Sequence, residues 1–222
     1  MGMPPSPAIA VALFAKAPRA GMVKTRLARD LSPEAAAEFH RLSTLAMWAR
    51  LVDLPAHEAF LYCDVRWAEF EAEADGGRFR LQRGSDLGER MRLCLEELLG
   101  EGYGKALIVG SDAPTLPLAQ LGEAADALDS ADVVLGPSED GGFTLIGATR
   151  VAAAMFRGVA WSRPDTRSVC LAAMQGAGLK AVETRAKGYD VDTLPGLRRL
   201  ARDVGLPASL ESWLLPYREP RS

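Results

Sequence analysis

The residues best suited to chemistry fall in four short stretches, and each can be placed where a loop follows an expected strand. The stretches and their key residues are 16–26 with Lys16, Gly21, Lys24 and Arg26; 110–114 with Asp112; 138–142 with Glu139, Asp140, Gly141 and Gly142; and 189–193 with Asp190 and Asp192. Ligands of open α/β sheets bind at the carboxyl ends of the strands. The four stretches therefore predict one site at one sheet edge, with the cations and carboxylates that a metal-assisted diphosphate site needs.

The basic stretch directly follows residues 9–15, an apolar run typical of a strand buried on both faces. Lys24 and Arg26 suit the neutralisation of a diphosphate, with backbone N–H groups around Gly21 assisting. The stretch matches neither G-x-x-x-x-G-K-[ST] nor G-x-G-x-x-G, so the two standard phosphate-binding fingerprints are absent. Taken alone, a solvated basic loop remains the alternative.

The aspartates of two stretches suggest a metal site. Asp112 follows the apolar run 105–110 and could hold a divalent cation that bridges phosphates, because Mg²⁺ and Mn²⁺ take few protein oxygens beside phosphate and water. Asp190 and Asp192 lie two residues apart in an extended segment, so their side chains point to the same side. They could share an ion, or one could bind the ion while the other orients it. The alternatives are a turn-forming role for Asp112 and a helix N-cap role for Asp192.

The remaining stretch, 138–142, and two other places in the chain could contact substrate. Glu139 and Asp140 precede two glycines, a combination that suits hydroxyl binding and close approach of a ligand, with a plain hairpin loop as the alternative. Asp86 could contact a nucleotide base or ribose, or serve as a helix N-cap. Trp161 and Ser162 could line an acceptor pocket, although Trp161 could also belong to the core.

The histidines and cysteines are interpreted as structural. His40 and His57 have no partner at metal-ligand spacing and are expected in structural or surface roles. The three cysteines are widely spaced without a CxxC pair, which favours core positions in a reducing cytoplasm over structural zinc or a disulfide framework.

Composition limits the possible partners. The chain has 222 residues, 48% of them hydrophobic, and a net charge of −3, which argues against nucleic acid or a membrane surface as the main partner. MGMPPSP lacks a signal-peptide pattern, and no apolar run approaches the ~20 residues of a membrane span. We expect a cytoplasmic protein with one domain over 8–205 and terminal extensions at 1–7 and 206–222; the sequence predicts no oligomeric state.

Strand and helix patterns alternate along the chain. The predicted strands are 9–15, 59–65, 79–82, 105–110, 132–136, 143–148 and 179–184; the predicted helices are 33–51, 67–74, 87–99, 117–128, 166–175 and 194–204, with a weak one at 151–156. This alternation predicts an α/β fold with a mainly parallel sheet and helices on both faces. Strands 132–136 and 143–148 are joined by too short a loop for a parallel crossover, so the sheet should be mixed.

Six motifs occur in order along the chain: FAKAPRAGMVKTRL, GSDLGER, LIVGSDAPTLP, DVVLGPSEDGGFTLIG, VAWS and YDVDT. Over about residues 8–201 they resemble a small bacterial domain-of-unknown-function family of the glycosyltransferase A-type, or nucleotide-diphospho-sugar transferase, superfamily. They are also similar to arsenosugar-biosynthesis-type glycosyltransferases. The resemblance implies a three-layer α/β/α sandwich, a divalent metal (Mg²⁺ or Mn²⁺), and Lys16, Lys24 and Arg26 on the nucleotide phosphates.

The resemblance also places Asp112 where the superfamily carries its metal-binding Asp-x-Asp. Here Ser111-Asp112-Ala113 keeps a single aspartate, so metal binding is expected either to depend on Asp192 as well or to be weak. The expected activity is metal-dependent transfer of a sugar from a nucleoside diphosphate sugar to a small acceptor. Asp112 and either Glu139 or Asp140 would be catalytic; the substrate contacts would be Gly141, Gly142, Trp161 and Ser162.

Two other functions stay open at this point. The same superfamily includes nucleotidylyltransferases, in which an acceptor attacks the α-phosphate of a nucleoside triphosphate and pyrophosphate leaves; Lys24 and Arg26 would then hold the triphosphate. A non-catalytic nucleotide-binding module is the other alternative, and the single aspartate at Asp112 is the feature that supports it.

Overall fold

The computed structural model describes residues 9–55, 57–203 and 205–218, so the predicted extension at 1–7 and the end of the last predicted helix, Val204, lie outside the described residues. The strands are β1 Ile9–Ala15, β2 Glu58–Cys63, β3 Phe79–Leu81, β4 Lys105–Gly110, β5 Val133–Pro137, β6 Phe143–Ala148 and β7 Ala181–Glu183. They form one sheet in the order β3-β2-β1-β4-β6-β5-β7.

Strand β6 runs antiparallel to both of its neighbours, β4 and β5, whereas the other neighbouring pairs are parallel. The mixed, mainly parallel sheet expected from the sequence is confirmed. This topology places several strand ends at one edge of the sheet: the carboxyl ends of β1, β4 and β5 and the start of β6. The loops that carry the predicted site residues therefore begin or end at that edge.

The helices are α1 Pro33–Val52, α2 Ala68–Glu73, α3 Leu87–Gly100, α4 Leu118–Ala127, α5 Thr166–Gly176, α6 Leu194–Leu200 and α7 Ala208–Leu214, with short 3-10 helices at Leu27–Arg29 and Leu215–Tyr217. Side-chain caps set several of their starts. The Ser32 hydroxyl accepts a hydrogen bond from the Ala35 N–H at 3.1 Å, as its position before Pro33 predicted. Helix α6 is capped by Thr193 rather than Asp192, which leaves the Asp192 carboxylate available for another role.

Two core layers lie on opposite faces of the sheet. Val11 and Leu13 of β1 pack in the layer formed with α1, α2 and α4, whereas Ala12 and Phe14 pack in the layer formed with α3 and α5. Both faces of β1 are therefore buried, as its continuous apolar pattern predicted. The three-layer α/β/α architecture is confirmed. Buried, free Cys63, Cys94 and Cys170 contribute to these layers, in agreement with their predicted core positions.

A third apolar cluster joins the C-terminal helices to the predicted site. Leu27 and Phe39 pack in it with Val191, Leu210 and Leu214, all fully buried. Helix α7 was not predicted, and the terminal extension expected at 206–222 contains Leu210 and Leu214, which are fully buried in this cluster. The basic stretch and the segment around Val191 thus share one apolar support.

Two other details differ from expectation or add to it. The prediction of a weak helix at 151–156 is wrong, because residues 153–158 form consecutive turns.

Within the described ranges, none of the helices has the length and apolar character needed to cross a membrane.

Two adjacent leucines test the structural contribution of α7. Leu214 is fully buried, whereas Leu215 is 55% exposed. We expect Leu214→Ala to lower the free energy of unfolding by about 2–5 kcal/mol, because it removes buried methyl groups and leaves a cavity. Leu215→Ala, the matched control, should change it by about 0.5 kcal/mol or less. Urea titration of both variants measures the difference; equal losses would contradict the packing of α7 described above.

Candidate active site

One cleft of about 1060 Å³ lies at the sheet edge where the strand ends converge. Most of the predicted site residues line it, namely Lys16, Lys24, Arg26, Asp86, Asp112, Asp140, Gly142, Trp161, Ser162, Asp190 and Asp192. Gly21, Glu139 and Gly141 are not among its lining residues. The structure therefore brings together cations, carboxylates and the predicted acceptor side in a single space.

Lys24 has an unusual position in the basic stretch. Its backbone φ is 47°, in the left-handed region that non-glycine residues rarely adopt, and its side chain is 2% exposed. The ammonium Nζ lies 2.6 Å from Asp112 Oδ1 and 3.0 Å from Asp192 Oδ1. Burial works to lower the pKa of Lys24, but the two carboxylates outweigh it and raise the pKa above its ordinary value. This lysine is thus engaged with carboxylates.

Lys16 and Arg26 differ from Lys24 because both are exposed in the cleft. Gly21, with a φ of 76°, turns the loop between them and is exposed. Of the three predicted phosphate ligands, Lys16 and Arg26 are therefore the two that are exposed.

Asp112 follows β4 and is held by both its backbone and its side chain. The Val191 N–H donates to the Asp112 carbonyl at 3.0 Å, which ties the segment 190–192 to the end of β4. The carboxylate side chain remains 51% exposed. Burial works to raise its pKa, but the Lys24 ammonium and the His40 imidazole hold the pKa of Asp112 well below its usual range. Asp112 is therefore ionised and faces the cleft.

His40, expected in a structural or surface role, also lines the cleft. It lies on α1 with its side chain 4% exposed; Nε2 is 3.0 Å from the Lys16 carbonyl oxygen, and Nδ1 is 3.5 Å from Asp112 Oδ1. The surface or structural role expected for His40 is thus incomplete, because the side chain connects the basic stretch to Asp112. The available signal was weak: one histidine beside Phe39 in an otherwise apolar stripe, with no partner at metal-ligand spacing.

Asp190 and Asp192 both line the cleft, as their i, i+2 spacing predicted. Fully buried Val191 lies between them in the third apolar cluster and faces the opposite way. The Ser138 hydroxyl donates to Asp190 Oδ2 at 3.5 Å. Burial, followed by the negative charge of Asp112, raises the pKa of Asp190 to about 7.

The loop between β5 and β6 separates its two acidic residues. Glu139 accepts two hydrogen bonds from the Arg199 guanidinium, at 2.7 and 3.0 Å, and Arg199 stacks on the Tyr189 ring at 3.7 Å. Asp140 lines the cleft and accepts from the Gly142 N–H at 2.9 Å. The geometry therefore favours Asp140 over Glu139 for a role toward substrate.

The predicted acceptor side is a cluster of aromatic residues. Trp161 packs edge-on to Phe143, with ring centroids 6.4 Å apart, and also contacts Phe156 at 5.8 Å. Asp86 caps α3, since its Oδ1 accepts from the Glu89 N–H at 2.9 Å. Its predicted N-cap role is confirmed, and it also lines the cleft.

The cleft fits a divalent metal only as an open site, in which the protein supplies some of the ligands and substrate and water supply the rest. Among residues 9–55, 57–203 and 205–218, no group of three or more His, Cys, Asp and Glu side chains is arranged to hold a metal ion by itself. Asp112 and Asp192 each direct Oδ1 to Lys24, and their side chains are 51% and 41% exposed. Two carboxylates completed by phosphate and water are a normal Mg²⁺ ligand set.

Residues 45–163 match the family described as an uncharacterized protein conserved in bacteria, DUF2064. The chain belongs to this family. The matched residues make up more than half of the chain and include Asp112, Asp140 and Trp161. The family predicted from the motifs is therefore confirmed. No curated protein matches the sequence of this DUF2064 chain.

Solved structures of transferases share the fold of this DUF2064 protein. A candidate nucleotide-diphospho-sugar transferase from Desulfovibrio desulfuricans G20 is 27% identical, with a TM-score of 0.81 over 95% of this chain and 98% of that chain. A cytidylyltransferase from Leptospira borgpetersenii serovar Hardjo-bovis is 14% identical, with a TM-score of 0.54 over 87% and 84%. CMP:2-keto-3-deoxy-manno-octonic acid synthetase, complexed with CTP, is 12% identical, with a TM-score of 0.53 over 86% and 96%. At these identities the last two show the fold alone.

Two glycines test how tightly the 138–142 loop packs beside the cleft. Gly141 and Gly158 have similar φ values, 89° and 75°, but a Cβ at Gly141 would overlap the Pro164 carbonyl, whereas one at Gly158 would meet nothing within 4 Å. Alanine at either position should cost about 1–2 kcal/mol of backbone strain. Gly141→Ala should lose about 1–3 kcal/mol more through overpacking, as measured by urea unfolding. Equal losses in the two variants would disprove the close packing.

Proposed function

We propose that this DUF2064 protein is a transferase that acts on a nucleotide-activated substrate with Mg²⁺ or Mn²⁺. The observation that carries the proposal is the meeting of opposite charges in one cleft. Exposed Lys16 and Arg26 supply cations for phosphate, while Asp112 and Asp192 supply half-exposed carboxylates for a metal. The similarity to a candidate nucleotide-diphospho-sugar transferase over nearly the full length of both chains supports this class.

The metal would be held by Asp112 and Asp192, with substrate phosphates and water completing its ligands. When bound, it supplies positive charge that stabilises the departing phosphate groups. Lys16 and Arg26 add fixed positive charge on the protein side of the same groups. Such prearranged charge is effective because it needs no reorganisation as the leaving group becomes more negative.

Glycosyl transfer is the preferred reaction. An acceptor hydroxyl oxygen attacks the anomeric carbon of a nucleoside diphosphate sugar, the bond from that carbon to the diphosphate oxygen breaks, and a nucleoside diphosphate leaves. Asp140, at the cleft surface, would orient the acceptor hydroxyl and accept its proton. Glu139 is unsuited to this role while Arg199 holds both of its carboxylate oxygens. Trp161 would provide an apolar wall for a small acceptor.

Nucleotidyl transfer is the second candidate, and the position of Asp192 favours it. Asp192 comes from a late turn, yet Lys24 links it to Asp112, which stands alone in Ser111-Asp112-Ala113. A basic opening loop paired with a late aspartate turn is the pattern that the sequence resemblance implies for nucleotidylyltransferases. In that reaction an acceptor oxygen attacks the α-phosphorus of a nucleoside triphosphate and pyrophosphate leaves.

Product analysis separates these two reactions. The purified chain is incubated with panels of sugar nucleotides and nucleoside triphosphates, with Mg²⁺ or Mn²⁺ and mixed small acceptors. Release of nucleoside diphosphate from a sugar nucleotide would support glycosyl transfer, whereas pyrophosphate release would support nucleotidyl transfer. Nucleotide binding without either product would identify a non-catalytic module and overturn the enzyme proposal.

Thermal shift with Asp112→Asn tests the metal and nucleotide roles directly. A ligand at about 100 times its dissociation constant stabilises the folded state by about 2.7 kcal/mol, or roughly 5–10 °C for a chain of this size. We expect the wild type to show such a shift with nucleotide plus Mn²⁺. Asp112→Asn should keep the shift caused by nucleotide alone and lose the additional shift caused by the metal.

Asp129→Asn is the matched control, because Asp129 pairs with Lys105 and is not among the residues that line the cleft. Its shifts should equal those of the wild type. Absence of any shift in the wild type with every nucleotide tested would rule out the nucleotide proposal. A full metal-dependent shift in Asp112→Asn would show that the metal is bound by residues other than Asp112.

A further inference from the structure

The position of the Lys24 side chain is unexpected for a phosphate ligand. Its ammonium lies beneath two carboxylates, at 2.6 Å from Asp112 and 3.0 Å from Asp192, and the side chain is 2% exposed. The carboxylates themselves are 51% and 41% exposed. A ligand entering from the cleft therefore meets the carboxylates first and the ammonium behind them.

The surrounding structure holds Lys24 in this inward position. Val23 and Leu27, on either side of it, are buried, and the Lys24 carbonyl accepts a hydrogen bond from the Ala28 N–H at 2.9 Å. Its φ of 47° turns the chain so that the side chain points inward while Lys16 and Arg26 stay exposed. The loop thus separates one internal cation from two external ones.

A second observation is that a histidine also approaches Asp112 from the protein interior. The His40 Nδ1 atom is buried, has no hydrogen-bond partner among the described residues, and lies 3.5 Å from Asp112 Oδ1. The same Oδ1 atom receives the Lys24 ammonium. Both internal groups therefore approach the same oxygen atom of Asp112.

We propose that Lys24 is a resident counter-ion that competes with the divalent metal for Asp112 and Asp192. Unit positive charge about 3 Å from both carboxylates opposes a second cation there, so the free protein should bind divalent metal weakly. Nucleotide phosphates relieve this opposition, because their negative charge can take up the displaced ammonium. Lys24 therefore makes metal binding depend on nucleotide binding. This inference rests on the proposed function, since the metal is the cofactor proposed there.

Mn²⁺ binding without nucleotide, followed by electron paramagnetic resonance of free Mn²⁺, tests the competition. Lys24→Met removes the charge but keeps a long apolar side chain next to Phe39, whose ring lies 5.9 Å from Nζ. We expect it to bind Mn²⁺ about 10-fold more tightly than the wild type, which corresponds to about 1.4 kcal/mol of relieved repulsion. Lys24→Arg, which keeps the charge, should bind as weakly as the wild type.

Lys16→Met is the matched control, because Lys16 is an exposed lysine of the same loop. It should leave Mn²⁺ affinity within about 2-fold and weaken only nucleotide binding, since charges exposed to water interact weakly. Coupling gives a second readout. Nucleoside diphosphate should tighten Mn²⁺ binding more in the wild type than in Lys24→Met. Within each protein, Mn²⁺ should tighten nucleotide binding by the same factor by which nucleotide tightens Mn²⁺ binding.

Unchanged or weaker Mn²⁺ binding in Lys24→Met would overturn the inference, as would absence of Mn²⁺ binding in both proteins. These outcomes do not depend on nucleotide. Tighter Mn²⁺ binding in Lys24→Met with no nucleotide binding at all would support the competition between Lys24 and the metal, but it would reject both the nucleotide dependence and the proposed function. If nucleotide plus Mn²⁺ stabilises the wild type and Lys24→Met equally, the inference is rejected and the proposed function stands.

If Lys24→Met does not fold, amine labelling of the wild type decides. Reductive methylation under limiting reagent, read by mass spectrometry, compares Lys24 with Lys16. Lys24 should react much more slowly in the free protein, and saturating Mg²⁺ alone should raise its rate. Equal rates for the two lysines, or no effect of Mg²⁺ on Lys24, would contradict the competition.

Discussion

The ion pairs of Lys24 with Asp112 and Asp192 are the interaction on which the candidate site depends. They connect residues that lie far apart in sequence: the basic stretch after β1, the end of β4 and the segment before α6. A buried ammonium is costly unless charged partners surround it. The fold must therefore keep these three stretches together, and each of them is fastened by contacts other than the ion pairs.

Those other contacts come from the sheet and from the third apolar cluster. The parallel strands place the ends of β1 and β4 side by side, and the Ser111 N–H donates to the Phe14 carbonyl at 3.1 Å just beyond their last pairing. Leu27 and Val191 enter the same cluster as the C-terminal helices, so the residues next to Lys24 and Asp192 are supported by one apolar surface. The antiparallel β6 brings the 138–142 loop to the same edge.

Much of the fold could be predicted because its signals are local. Continuous apolar runs such as 9–15 indicate strands buried on both faces, a short loop between 132–136 and 143–148 requires an antiparallel pair, and Ser32 before Pro33 marks a helix start. Helix α7, which is seven residues long and has no side-chain cap, was not predicted. Its stability comes from burial of Leu210 and Leu214, which depends on distant residues.

The site could be predicted as a set of residues but not as an arrangement. Spacing indicated that Asp190 and Asp192 share a side, and strand order placed Asp112 near the basic stretch. Nothing in the sequence shows that Lys24 turns inward while Lys16 stays exposed, since both are lysines of one loop. The sequence also does not show the contact of His40 with Asp112, which depends on how α1 packs on the sheet. Nor does it show that Glu139 pairs with Arg199 outside the cleft.

The most direct test of the metal–nucleotide site is anomalous diffraction from a crystal of this chain soaked with Mn²⁺ and a nucleoside diphosphate. We expect a manganese peak at coordination distance from Asp112 and Asp192, with phosphate oxygens on its other side and within reach of Lys16 or Arg26. Manganese bound elsewhere, or nucleotide bound outside the cleft, would contradict the assignment of this sheet edge as the site.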